Sequence, residues 1–286
     1  MKFSIIIPAY NEEESIVMTV SRLIGISWEE FPEIIVVDDG SEEKVSSLKG
    51  LDLEKVKICR HEQNRGYGVA LKTGISNARN ECIVIIDADG TYPNERIPEL
   101  VEMHEKGNFD MVVGARIGKN AKIPLIRRPA KWLITKLANY LTNKKIPDIN
   151  SGLRVMKKDV VKKYFNILPD GFSFTSTITL AMLTNGYRVK YVPIDYLERK
   201  GKSKIRPIRD TLNFIQLIIR TVMYFNPLKV FLLLSLFLAL FSFLVLVGSW
   251  FFMGKAMDVT FGVILMTSVM VLAIGMLADL IDKRLK

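Results

Sequence analysis

Two long uncharged stretches near the end of the chain constrain its fold more than any other feature. One runs from Val230 to Gly254, which is 25 consecutive residues without a charge, and the other runs from Val259 to Ala278. A helix crosses the hydrocarbon core of a bilayer with about 20 apolar residues, so each stretch is long enough to cross once. Only residues 255–258 separate the two. The sequence therefore predicts a transmembrane hairpin.

The charges around these stretches predict how the hairpin is oriented. The outer flanks carry Arg220, Lys229, Lys283, Arg284 and Lys286. The link between the stretches has one lysine and one aspartate. Because basic residues are retained on the cytoplasmic side, we expect an integral protein of a plasma or endoplasmic-reticulum type of membrane, with both chain ends in the cytoplasm. The hairpin could pack against lipid alone or form a homo-oligomer with further copies.

The rest of the chain has the pattern of an α/β protein. Runs rich in β-branched residues alternate with helical stretches, which is typical of a mainly parallel sheet covered on both faces. The predicted strands are Phe3–Ile7, Glu33–Asp38, Lys55–Cys59, Cys82–Asp87 and Phe109–Gly114, and the predicted helices include Glu12–Gly25 and Gly66–Arg79. Ala70, Gly74 and Ala78 on the second helix would let it approach the sheet closely. Gly66 and Gly68 are interpreted as a turn with close packing, because they do not follow the first strand as a dinucleotide fingerprint would.

Two amphipathic segments, Lys131–Thr142 and Pro207–Phe225, come before the hairpin. Each could be a helix that faces the protein core or a helix that lies in the lipid headgroup layer. We expect three parts: an α/β domain over residues 1–206, a juxtamembrane amphipathic helix over 207–228, and the hairpin over 229–286.

The charge balance favours anionic partners. Lys and Arg number 40 against 30 Asp and Glu, a net charge of +10, which suits nucleotides, lipid headgroups or nucleic acid. No basic module with interleaved aromatic residues is present, so we do not expect nucleic acid. His61 and His104 are separated in the sequence and have no cysteine partners for a metal site, so they are predicted to be structural or surface residues. The spacing of Cys59 and Cys82 fits neither a disulfide framework nor a zinc site, so both are predicted to be buried thiols.

Polar residues follow four of the predicted strands. In open α/β sheets, ligands bind at the carboxyl ends of the strands, so these residues should form one rim. Asp87 and Asp89 come directly after a buried strand. Two such carboxylates can share a hard cation, Mg²⁺ or Mn²⁺, with phosphate oxygens and water, although a hydrogen-bonded turn is the alternative.

Several short motifs together resemble the family 2 nucleotide-sugar glycosyltransferases, which have the GT-A (Rossmann-like) fold. The motifs occupy residues 6–12, 37–41, 64–66, 87–89, 114–116, 150–154 and 199–204. The longer set is similar to the branch of the family that uses polyprenyl phosphates, of the dolichol-phosphate mannose synthase type. It covers roughly residues 3–228.

The resemblance implies roles for individual residues. Pro8, Tyr10, Glu12 and Asp39 would line the nucleoside pocket, Asp38 would help to hold the base or ribose, Asp87 and Asp89 would bind the metal, Arg116 with Arg127 or Arg128 would meet the lipid phosphate, and Arg199 and Lys202 would close over the donor phosphates. Thr91 stands where many mannose synthases have Gln, which leaves the third protein contribution to the metal open.

The implied reaction is inverting transfer of one sugar from GDP-mannose, UDP-glucose or a UDP-N-acetylhexosamine to dolichyl or another polyprenyl phosphate, which gives a lipid-linked monosaccharide for glycan assembly. Residues 170–176 lack the Glu-Asp pair expected for a hydroxyl acceptor. A phosphate acceptor is already anionic near neutral pH, with a second pKa of about 6, and needs no base. Transfer to a glycan or glycerolipid hydroxyl, and a non-catalytic nucleotide-sugar-binding membrane scaffold, are the alternatives.

Overall fold

A seven-stranded sheet forms the centre of the α/β domain. The computed structural model describes residues 1–117, 136, 138–140, 142–171, 173–196, 215–216, 219–224 and 226–285. The strands are β1 (Phe3–Ala9), β2 (Glu33–Asp38), β3 (Val56–Arg60), β4 (Cys82–Ile85), β5 (Met111–Ala115), β6 (Arg154–Lys157) and β7 (Val189–Pro193). The helices are α1 (Glu13–Ile24), α2 (Tyr67–Asn77), α3 (Ile97–Lys106), α4 (Lys158–Lys163), α5 (Phe174–Thr184), α6 (Pro227–Met253) and α7 (Asp258–Leu285), with single 3₁₀ turns at Val45–Ser47 and Asn94–Arg96.

The strand order is β3-β2-β1-β4-β6-β5-β7. All pairings are parallel except those of β6, which runs antiparallel to both β4 and β5. This confirms the predicted mainly parallel α/β fold. The five predicted strands are present with ends shifted by at most two residues, whereas β6, β7 and α3 had not been predicted.

Apolar side chains from the central strands fill both faces of the sheet. In β1, Ile5 and Ile7 enter the core under α1 and α3, while Ile6 points to the opposite core under α2 and α5. Burial on both faces explains why these strands are almost continuously apolar. A Cβ at Gly74 would lie 2.3 Å from Cγ2 of Ile6. The close approach of α2 to the sheet, predicted from its small residues, is therefore confirmed.

A third apolar cluster joins the α/β domain to the residues that precede the hairpin. Its buried members are Ala138, Ile146, Ile149, Leu180, Leu183 and Val222, with Val230 at the start of α6 packed against them. Most of the two predicted amphipathic segments lies outside the described residues. Their described parts are helical, and both contribute to this cluster through Ala138 and Val222. The third apolar cluster thus connects the sheet to the first hairpin helix.

Helices α6 and α7 form the predicted hairpin. Among the described residues, these two helices are long and apolar enough to cross a membrane. They pack closely, because a Cβ at Gly275 would lie 2.4 Å from Cβ of Phe231. The Ser268 hydroxyl also donates a hydrogen bond of 2.7 Å to the Ser235 carbonyl. The hairpin begins at Pro227, and the domain boundary drawn after residue 206 lies outside the described residues.

The histidines and cysteines have structural surroundings. His61 is buried and its ring nitrogens lie 2.6 Å from Asp39 and 2.9 Å from Thr73. His104 is also buried. Both cysteines are unpaired; Cys82 is buried and Cys59 is half-buried. The histidines are thus structural rather than surface residues.

Candidate active site

The carboxyl ends of β1, β2 and β4 meet at one edge of the sheet. Ala9 lies beside Asp38 in the parallel register, and the backbone N–H of Asp39 donates to the Ala9 carbonyl at 2.8 Å. The strands β4 and β5 are both antiparallel to β6, so they end at this same edge. The fold therefore brings the predicted polar rim together.

Asp38 and Asp39 organise the loops that follow β2 and β3. Asp38 is fully buried and accepts hydrogen bonds from the backbone N–H of Ser41 at 2.9 Å and from the Arg60 guanidinium. Asp39 is 2% exposed and accepts from the backbone N–H of Arg65 at 3.0 Å, besides its bond with His61. Both carboxylates are thus engaged by protein donors that shape this edge of the sheet.

The loop after β1 supplies the other predicted nucleoside residues. Pro8 is buried within β1, Tyr10 is 44% exposed, and Glu12 precedes the first turn of α1. Asn11 connects this loop to the loop after β2, because its backbone N–H donates to the Ser41 hydroxyl at 3.1 Å. Tyr10 is therefore an exposed aromatic residue in a loop that is tied to the loop after β2.

Asp87 and Asp89 are half-buried at the end of β4. The Tyr67 hydroxyl donates a hydrogen bond of 2.8 Å to Oδ1 of Asp87. The Thr91 hydroxyl donates to Oδ1 of Asp89 at 2.6 Å. Thr91 thus orients the second aspartate, at the position where many mannose synthases have Gln.

Burial of Tyr67 and the nearby negative charge of Asp87 raise the pKa of the phenol well above its usual value. Tyr67 therefore stays protonated near neutral pH and acts as a hydrogen-bond donor to Asp87. Tyr67 had not been predicted as a site residue. It is the first residue of α2, directly after Gly66, whose φ of 101° makes the turn that places it there.

The surroundings of Asp87 fit a hard divalent cation. A Cβ at Gly152 would lie 2.2 Å from Oδ2 of Asp87, so only glycine leaves room for this carboxylate. Within the described part of the chain, no three His, Cys, Asp or Glu side chains are placed to enclose a metal. Two carboxylates that leave most positions to phosphate oxygens and water match the preference of Mg²⁺ and Mn²⁺.

Arg116, just after β5, is held by Asp148. Its Nε and Nη2 donate to the two carboxylate oxygens at 2.8 and 2.9 Å, and its backbone N–H donates at 3.0 Å. The guanidinium also lies 5.3 Å from the centre of the Tyr196 ring. Asp148 uses two of the five guanidinium N–H groups, so the fork is oriented while donors remain for an anion.

Residues 148–152, which we call the bridging segment, touch both parts of the site. Asp148 holds Arg116, and the Cα of Gly152 packs against Asp87. Asp148 was not identified from the sequence, and Gly152 was quoted in a motif without a role. No local pattern indicates either function, because their partners are more than 30 residues away in the chain.

Gly66 and Gly68, at the start of α2, have the predicted turn and packing roles. A Cβ at Gly68 would lie 2.1 Å from the Pro169 carbonyl oxygen, and its N–H donates to the Asp170 carbonyl at 2.7 Å. Arg127, Arg128, Arg199 and Lys202, which were predicted to contact phosphates, lie outside the described residues.

Comparison with known proteins agrees with the fold. Residues 4–165 match the model of glycosyl transferase family 2. The chain is 26% identical over 205 residues to a dolichyl-phosphate hexose transferase of Haloferax volcanii, which covers 71% of this chain and 86% of that protein. It is 30% identical over 273 residues to an undecaprenyl-phosphate 4-deoxy-4-formamido-L-arabinose transferase of Pectobacterium carotovorum, which covers 88% of this chain and 77% of that protein.

A solved structure shows the same architecture. The crystal structure of glucosyl-3-phosphoglycerate synthase from Mycobacterium tuberculosis, in complex with Mn²⁺, UDP and phosphoglyceric acid, superposes with a TM-score of 0.58. The two sequences are 18% identical, and the superposition covers 78% of this chain and 77% of the other. The match to the family model spans more than half of the 286 residues, and the sheet carries the expected motifs at its carboxyl edge. The chain belongs to glycosyl transferase family 2.

Proposed function

We propose that this enzyme transfers one sugar from a nucleotide sugar to a polyprenyl phosphate, with inversion at the anomeric carbon. The observation that carries the proposal is the pairing of two sites at one sheet edge. Asp87 and Asp89 follow β4, Arg116 follows β5, and the bridging segment contacts both Asp87 and Arg116. A carboxylate pair suits a metal–diphosphate, and an oriented arginine suits a second phosphate.

The relatives and the hairpin support the lipid acceptor. The names of the two relatives specify dolichyl phosphate and undecaprenyl phosphate. In this chain the third apolar cluster joins the α/β domain to α6, which is long enough to span a bilayer. A membrane-embedded polyprenyl chain would then bring its phosphate to the same protein that holds the nucleotide sugar. The basic flanks of the hairpin support a cytoplasmic α/β domain.

The donor would bind over the carboxyl edge of β1, β2 and β4. Tyr10 offers a stacking face for the base, and the loops held by Asp38 and Asp39 form the wall beside it. Asp87 and Asp89, oriented by Tyr67 and Thr91, would hold Mg²⁺ or Mn²⁺. When bound, the ion neutralises the diphosphate and makes the nucleoside diphosphate a better leaving group.

The acceptor phosphate needs orientation rather than deprotonation. Arg116, fixed by Asp148, would bind it and direct one phosphate oxygen at the anomeric carbon. A new C–O bond forms to that oxygen while the bond to the nucleoside diphosphate breaks, and the electron pair leaves with the diphosphate. A phosphate acceptor is already anionic near neutral pH, so this step uses no carboxylate base.

The test uses the full chain in detergent or lipid bilayers with a panel of GDP- and UDP-sugars. Polyprenyl phosphate and dephosphorylated polyprenol are offered as competing acceptors, and mass spectrometry identifies the product. We expect a phosphate-linked monosaccharide, loss of product with EDTA, and recovery with Mn²⁺ or Mg²⁺. A product on the alcohol, or nucleotide binding without any product, would refute the proposal. Full activity of an Asp87→Asn, Asp89→Asn double variant would refute the assigned metal site.

A further inference from the structure

Arg154, at the start of β6, is a fully buried arginine with an unusual set of partners. Its Nε donates to the Ser151 carbonyl at 2.7 Å, its Nη2 to the Ile149 carbonyl at 2.8 Å, and its Nη1 to the Thr179 hydroxyl at 2.5 Å. Among the described residues it forms no ion pair. Burying a guanidinium without a carboxylate is costly, and an apolar side chain would fill a core at no such cost. What the guanidinium provides, and an apolar side chain would not, is therefore a set of hydrogen bonds in fixed directions.

Two of these bonds hold the bridging segment at the backbone carbonyls of Ile149 and Ser151. The segment has further anchors: the Ser151 hydroxyl donates to the Gly114 carbonyl at 2.5 Å, the Gly152 N–H donates to the Tyr92 hydroxyl at 2.6 Å, and the Ser176 hydroxyl of α5 donates to Oδ1 of Asn150 at 2.7 Å. None of these three bonds involves Ile149. Among the described residues, Arg154 is the one side chain that bonds to the carbonyls on both sides of Asn150, and it also bonds to Thr179 of α5.

We infer that Arg154 is a positioning residue that sets the separation between the metal ligand Asp87 and the acceptor arginine. One end of the bridging segment holds Arg116 through Asp148, and the other end abuts Asp87 through Gly152. A shift of the segment therefore moves both partners at once. Ile149 also packs in the third apolar cluster with Val222, so the same segment relates the site to the residues that lead into the hairpin.

This inference rests on the proposed function and adds a prediction of its own: metal binding and acceptor binding respond together to a change at Arg154. Arg154→Lys keeps the positive charge, but a single ammonium group cannot reach both carbonyls with the geometry of a planar fork. Loss of such an outer contact weakens metal binding by about 10- to 100-fold in other proteins.

The experiment measures the Kd of Mn²⁺ by electron paramagnetic resonance in the presence of a nucleoside diphosphate, and the KM for polyprenyl phosphate. In Arg154→Lys we expect both values to rise by about tenfold or more. The control is Arg79→Lys, which alters an ion pair with Glu33 at the amino end of β2, the sheet edge opposite the site, and should leave both values unchanged.

A purely structural role would lower the melting temperature and leave both values within twofold of those of the unaltered protein, which would overturn the inference. If Arg154→Lys does not fold, Thr179→Val decides: it removes one acceptor and keeps the packing volume. Unchanged Mn²⁺ Kd and KM in that variant would equally overturn the inference. If the unaltered enzyme makes no lipid-linked sugar, the proposed function fails, but the Mn²⁺ Kd still tests Arg154.

Discussion

Gly152→Ala tests whether the carboxylate of Asp87 must occupy its observed position. The added Cβ would lie 2.2 Å from Oδ2, 2.5 Å from Cγ and 2.7 Å from Oδ1 of Asp87. Carbon and oxygen atoms in contact lie about 3.4 Å apart, so the carboxylate has to move by roughly 1 Å. Gly152 does not have a positive φ, so the backbone itself accepts alanine.

A movement of roughly 1 Å is larger than a metal ligand tolerates, whereas the folded chain can accommodate it. Metal–ligand distances tolerate about 0.2 Å, so we expect the Kd of Mn²⁺ to rise by about 100-fold, or roughly 2.8 kcal/mol. Moving the Asp87 side chain breaks its hydrogen bond with Tyr67, which contributes about 1.5–3 kcal/mol, while alanine restricts the unfolded chain more than glycine does, by about 0.4–1 kcal/mol. The free energy of unfolding should therefore fall by no more than about 3 kcal/mol.

The assay combines Mn²⁺ titration, monitored by electron paramagnetic resonance, with thermal unfolding. Gly25→Ala is the matched control, because its Cβ would make only an ordinary contact of 3.4 Å with the Ser21 carbonyl. If Gly152→Ala bound Mn²⁺ as well as the control does while both stayed folded, Asp87 would not be a metal ligand in the position described.

Three further predictions address other contacts. Tyr67→Phe removes the hydrogen bond to Asp87; we expect the Kd of Mn²⁺ to rise by about tenfold or more, as on loss of other outer contacts to a metal ligand, and the free energy of unfolding to fall by up to about 1.5–3 kcal/mol, the contribution of a bond to a charged group. Burial lowers the pKa of His104 below its ordinary value of 6.5, so the unfolded state binds the proton more readily and stability falls as the pH drops below that value. His104→Leu should flatten the dependence of the melting temperature on pH between about 7 and 5. Gly275→Leu should push α7 away from Phe231 and lower the melting temperature in detergent by several degrees, about 2–4 °C per kcal/mol for a chain of this size.

Each of these has an outcome that contradicts it. An unaltered Mn²⁺ Kd in Tyr67→Phe would mean that the phenol does not orient Asp87. An equal pH slope with and without His104 would assign acid destabilisation to other groups. Gly248→Leu is the control for the hairpin, because a Cβ there has no neighbour within 4 Å; equal destabilisation by both leucines would rule out close packing at Gly275.

The central sheet could be predicted because each of its strands has a recognisable sequence pattern. The residues of β1, β2 and β4 are buried on both faces, and such strands appear as apolar runs. Strand β6 begins with Arg154 and ends with Lys157, and its position between β4 and β5 depends on pairing with distant residues. Local sequence contains neither its register nor its antiparallel direction.

The residues of the candidate site also fall into those that the sequence indicates and those that only the folded structure reveals. Asp87 and Asp89 could be proposed as metal ligands because they directly follow a buried strand, and Arg116 was proposed through the family resemblance. Tyr67 and Asp148 were missed, because each acts on a partner 20 or 32 residues away that only the folded sheet brings near. Thr91 shows the complementary case: its residue type departs from the family pattern, and its hydrogen bond to Asp89 is visible only in the structure.

The third apolar cluster has a consequence for how the protein is made. Leu180 and Leu183 of α5 pack in this cluster with Val222, and Val230 packs against it, so the ribosome makes the sheet before it makes all the residues of the cluster. Val230 is part of the first hairpin helix. The cluster is therefore complete only when that helix begins to be made, and until then its apolar side chains are open to chaperones.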